Sequence, residues 1–152
     1  RERSEDIFQY LINGLDNEDS HFSELCAEAL EEISMKLKGK HLNVALRFLS
    51  RRLHYTQGRH QYIAESFKNI SVKSNEGQLQ YSFQCLIDGL EDEDRSMRKE
   101  CAKMLVRLSM KWNQVQLDYA FRCLICGLND EDINVHKEYA ELLVAHSMKL
   151  SQ

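Results

Sequence analysis

The sequence predicts an all-α fold: an α-α superhelix of four stacked antiparallel helix pairs, eight helices in one domain. Three observations carry this. The stretches YLINGLDNED (10–19), CLIDGLEDED (85–94) and CLICGLNDED (123–132) are near copies of one another. Apolar residues follow one another at spacings of three and four, the signature of one helix face. The chain has no proline, where average usage of about 5% would give roughly eight, so no helix is interrupted by a missing donor.

The repeat has a measurable period. Leu15, Leu53, Leu90 and Leu128 are 38, 37 and 38 residues apart. Four positions earlier stand Leu11, Leu49, Leu86 and Leu124; three before those stand Phe8, Leu46, Phe83 and Phe121. These stripes define the first helix of each pair. A second set defines the partner helix: Ala27, Ala64, Ala102 and Ala140, then Ser34, Ser71, Ser109 and Ser147, then Lys36, Lys73, Lys111 and Lys149. The units are therefore about 1–40, 41–77, 78–115 and 116–152. The helices are expected near 5–16, 20–38, 41–54, 59–74, 77–91, 94–112, 114–129 and 132–150, with breaks at Gly39, Asn75-Glu76-Gly77, Asn113 and the acidic clusters.

Each apolar stripe needs a neighbour. A single helix pair cannot bury its own face, and stacked pairs share a continuous core. Beside the Phe/Leu stripes, the second helices offer Phe22, Cys26, Leu30, Ile33 and Leu37, matched by Met97, Cys101, Leu105, Leu108 and Trp112. The small Ala and Ser columns let a neighbouring helix approach closely. Gly14, Gly89 and Gly127 mark close backbone passage or a helix end. Asp19, Asp94 and Asp132 stand where a carboxylate accepts an orphan backbone N–H. The lysines at 36, 73, 111 and 149 suit helix C-termini.

LIDGLEDEDRSMRKECAKMLVRLS (86–109) resembles a HEAT repeat: an apolar helix, an acidic turn, then a small-apolar-Arg start to a second helix carrying Ala and Leu. GLNDEDINVHKEYAELLVAHS (127–147) is similar, with His136 in the place of Arg98. The likeness spans the chain as four units. The period lies a little below the usual 40 or so residues, and the proline common in such first helices is missing. The tetratricopeptide period of about 34 does not fit. The resemblance implies a binding surface formed by the second helices.

Charge along the chain is uneven. By unit the net charges are −5, +4, 0 and −3. Outside the apolar stripe, second-helix columns read Glu24, Gln61, Lys99, Lys137; Glu28, Glu65, Lys103, Glu141; Glu31, Lys68, Val106, Val144; and Glu32, Asn69, Arg107, Ala145. The first unit is acidic, Lys99, Lys103 and Arg107 form a basic ridge, and the end turns apolar. Charge sets register in such a surface and apolar contact adds affinity. The expected function is a non-catalytic module binding a protein or peptide, through Arg51, Arg52, Arg59, Lys68, Lys99, Lys103, Arg107, Val106 and Val144. The alternative is phosphate-backbone binding through Arg47, Arg51, Arg52, Arg59 and the ridge. Against it, the pI is about 5.9 and the end units would repel phosphates. A third reading is a spacer in a longer solenoid, with apolar end faces that self-associate.

Other classes lack their signatures. Five cysteines in a chain long enough to form a core favour reduced thiols and a cytoplasmic setting. No apolar run reaches the 18 or so residues of a membrane span, and no leader is visible. Without an initiating Met, the chain is expected to be a processed product or a piece of something larger. Cys123 and Cys126 form C-x-x-C inside an expected helix, where they serve as small hydrophobes. With His136 and His146 they give no zinc spacing. The acidic turns do not match a calcium loop, and no phosphate loop, nucleophile elbow or zinc-protease motif is present. No catalytic residue, metal or cofactor is expected.

Overall fold

The computed structural model describes residues 2–36, 39–56, 60–126 and 133–150. Among them are eight α-helices and no strand: α1 (Glu2–Gly14), α2 (Ser20–Ile33), α3 (Gly39–Tyr55), α4 (Gln61–Val72), α5 (Glu76–Gly89), α6 (Arg95–Arg107), α7 (Gln114–Cys126) and α8 (Ile133–Leu150). The expected all-α architecture is present, and each helix lies within a few residues of its expected place. The chain divides into two compact units, Arg1–Gln78 and Leu79–Gln152. Leu128, Gly127, Asp132, Leu37 and Arg59 lie outside the described residues, as do the side chains of His146 and Lys149.

Local chemistry starts the helices. Asn75 and Gln78 exchange hydrogen bonds at the entrance to α5: each backbone amide donates to the other's side-chain oxygen, at 3.0 and 3.1 Å. Asn113 and Gln116 repeat the exchange at α7, at 2.9 and 2.8 Å. This is a capping box with Asn in place of Ser. Asn75 is therefore the cap, and Gly77, expected as a break, lies inside α5. Asp19 caps α2 by accepting from the amides of His21 and Phe22. Asp94 caps α6 through the Met97 amide at 3.0 Å.

Within the first unit α1 packs on α2, α3 on α4, and α2 on α4. Leu15, Leu30, Leu46, Leu49 and Phe67 are fully buried there. Each such side chain contributes about 1.5–3 kcal/mol of transfer free energy. In the second unit α6 and α7 each pack on α8, around Leu105, Leu117, Leu124 and Trp112. The Trp112 indole stands edge-on to Phe83, and its Nε1 donates to the Leu105 carbonyl at 3.0 Å. First helices meet in equivalent registers. His41 on α3 pairs with Glu5 on α1 at 3.0 Å, and Gln116 on α7 donates to Gln80 on α5 at 3.0 Å.

Two glycines are set by crossing helices. A Cβ on Gly14 would collide with the Cys26 Sγ, and one on Gly89 with the Cys101 Sγ. These two Gly-Leu pairs therefore mark where α1 passes α2 and α5 passes α6.

Two of the second helices are shorter than the spacing predicts. Both α2 and α6 stop early and tighten into a 3-10 turn, Ser34–Lys36 and Ser109–Lys111. At the first of these the Ser34 hydroxyl donates to the Glu31 carbonyl at 2.6 Å, a side-chain bond that competes with the helical ladder.

Candidate functional site

The second helices of the first unit, α2 and α4, lie side by side and leave a groove of about 370 Å³ between their outer faces. Glu28, Glu31 and Glu32 form one wall; Asn69, Val72 and Lys73 form the other. These carboxylates fall on the outer face because Cys26, Ala27 and Leu30 occupy the buried one. Asn69 donates its side-chain amide to Glu31 across the groove. Val72 is half-exposed and supplies an apolar contact. The groove is mainly negative, with Lys73 its one lining cation among the described residues.

The expected contact residues distribute over several helices. Lys68 is on α4, and its ammonium pairs with Glu65 one turn away at 2.9 Å. Lys99, Lys103 and Arg107 do share α6, with Arg107 exposed and both lysines half-buried. The ridge is not purely basic: the Glu100 side chain is 8% exposed and lies 3.7 Å from the Lys103 ammonium. Val106 is half-buried beside them, and Val144 on α8 is well exposed. Arg51 and Arg52 are on α3, a first helix. Arg51 stacks 4.8 Å over the Phe48 ring, which Arg47 also approaches at 5.8 Å, and Arg52 lies 5.3 Å over Tyr55.

Reading by columns set Asn69 beside Glu32 on the outward face and left Val72 and Lys73 off it. Columns align Glu31 with Lys68, whereas the contact runs diagonally to Asn69, 38 residues away. Diagonals between neighbouring repeats would have found it.

A second cavity, of about 420 Å³, lies within the second unit. Ile87, Leu90 and Glu91 line it from α5 and its turn, Tyr119, Arg122, Cys123 and Cys126 from α7, and Tyr139 from α8. Burial pushes the Cys123 thiol up, with Glu91 and Cys126 adding to the shift against a Tyr119 hydrogen bond. The thiolate is thus disfavoured, which suits a packing role better than a nucleophilic one. Cys26 and Cys101 are also pushed up by burial, Cys101 strongly. Among the described residues no three His, Cys, Asp or Glu side chains converge as a metal site, and no helix is long and apolar enough to cross a membrane.

Fold and surface together define an all-α protein of repeated helix pairs with charged faces on its second helices. No family model matches the chain, and no curated relative matches it. A crystal structure described as that of an engineered protein is similar, with a TM-score of 0.58 at 20% identity. The match covers 93% of this chain and 62% of that one. At that identity the likeness concerns the fold alone.

Proposed function

We propose that the chain is a non-catalytic, HEAT-like interaction module that holds a protein segment against its second helices. The α2/α4 groove carries this reading. Its carboxylates, Glu28, Glu31 and Glu32, flank an apolar contact at Val72, which fits a peptide segment offering Lys or Arg beside an apolar side chain. Complementary charge raises the encounter rate and fixes register, and the apolar contact adds affinity. The resemblance to HEAT repeats supports the same surface.

Panning a displayed random-peptide library tests the proposal. Selected peptides are expected to be rich in Lys and Arg and to protect α2 and α4 amides from hydrogen exchange. Against a Glu28→Lys/Glu32→Lys variant they are expected to lose about tenfold in affinity, or roughly 1.4 kcal/mol. Failure to select peptides, or equal binding by the variant, overturns it.

Phosphate-backbone binding has one observation in its favour, the exposed Arg47 and Arg51 side chains grouped around Phe48 on α3. It predicts tight binding of random nucleic acid that falls steeply with salt, and no response to substitutions in the α2/α4 groove.

A further inference from the structure

We infer that the outer face of α8 is a docking surface for a second copy of this chain. The repeat shows what such a face is for. Ala27 on α2 is buried where α4 packs along α2, and Ala102 on α6 is buried where α8 packs along α6. On α8 the same column comes to the surface. Ala140 is exposed, and beside it Ile133 is 65%, Val144 59% and Met148 62% exposed. Ile125 on α7 shows the same change: its counterparts Ile12 and Ile87 are 1% and 3% exposed, while Ile125 is 49% exposed. An apolar stripe thus runs along an 18-residue helix, about 27 Å long. Stripes of this kind mark interaction sites, and on α2 and α6 the Ala at the centre of the equivalent face is covered by a helix.

Charge identifies the occupant. The charged residues among the exposed, described positions of α8 are Lys137 and Glu141, one turn apart. Antiparallel packing about a two-fold near Ala140 brings each Lys137 within a turn of the second copy's Glu141. It also sets Ile133 beside the second copy's Met148. The stripe therefore complements itself, as an isologous interface requires, and the small Ala140 at its centre permits close approach. Head-to-tail continuation fits poorly. Where α3 and α7 carry Ala45 and Ala120, both fully buried, α1 carries the bulky, half-exposed Ile7.

Sedimentation equilibrium of the whole chain, up to about 200 µM because one helix pair is a small interface, tests the inference. The mass is expected to rise from 17.9 kDa toward twice that value. Val144→Glu is expected to stay monomeric with an unchanged helical circular dichroism spectrum, and Val144→Leu and Ile7→Glu to associate as the parent does. A parent chain that stays monomeric overturns the inference, as does association that survives Val144→Glu or that Ile7→Glu weakens as much.

Discussion

In the α1–α2 pair the turn is closed by Asn17, whose side chain accepts the Asp19 amide at 2.8 Å. In the α5–α6 pair, 75 residues on, Asp92 accepts the Asp94 amide at 2.8 Å. The Gly–Cys crossing recurs at the same offset, as Gly14 with Cys26 and Gly89 with Cys101. The outer faces diverge: α2 carries Glu24, Glu28, Glu31 and Glu32, while α6 carries Lys99, Lys103 and Arg107. Residues that cap or cross are held by local geometry and are the same in both of these pairs. Residues that face outward are free of that constraint and differ.

Core truncation tests this equivalence most severely. Leu30 and Leu105 are counterparts, both fully buried. Leu30→Ala and Leu105→Ala are each expected to cost about 2–5 kcal/mol in urea unfolding. Costs that differ by more than the spread of that range would show that the two sites are not one environment.

The crossings come next. Gly14→Ala and Gly89→Ala each push a methyl into a cysteine sulfur and are expected to cost about 1–3 kcal/mol. Cys26→Ala and Cys101→Ala should partly restore stability in the respective double variants. Rescue at one crossing alone would break the comparison. The same thiols give a pH dependence. Burial raises both above their ordinary value, so the native state keeps its protons while the unfolded chain releases them above about pH 8.5. Stability is full below that pH and falls as pH rises beyond it, by at most ~1.4 kcal/mol per unit per thiol. Cys101→Ala should flatten the decline measured between pH 8 and 10.

Much of the fold was legible because its signals are local. Leu spacing, the Asn breaks and the Asp caps each act within one or two turns of chain. Less of the candidate site was legible because it depends on which helix lies beside which. The tripeptide Ser-Met-Lys shows the limit: it forms a 3-10 turn at 34–36 and 109–111, yet continues the α-helix at 147–149. The ridge at Lys99, Lys103 and Arg107 was visible as three cations. The burial of Glu100 beside them follows from packing, and the stacking of Arg51 on Phe48 from side-chain geometry.

Caps are expected to matter less than crossings. Asp19 accepts from two amides and Asp94 from one at its helix start. Asp19→Ala and Asp94→Ala should each cost about 1 kcal/mol, read as a lowered thermal midpoint. Exchanging the turn residues, by Asn17→Asp or Asp92→Asn, should be near neutral, because each side chain keeps the oxygen that accepts the amide. A cost at either site comparable to losing its cap would show that the two turns are built differently.

Reversing the outer charges should perturb stability least, and unequally. Glu28 is exposed on the groove wall, so Glu28→Lys should change stability by no more than about 0.5 kcal/mol. Lys103→Glu places a carboxylate against the buried Glu100 and should cost about 1 kcal/mol, since like charges repel more strongly where water is partly excluded. The inequality separates the two positions physically: Glu28 faces solvent, whereas Lys103 lies beside a buried counter-charge. Equal, negligible costs in denaturant unfolding would mean that Glu100 draws nothing from Lys103. The ridge would then be as unconstrained as the wall.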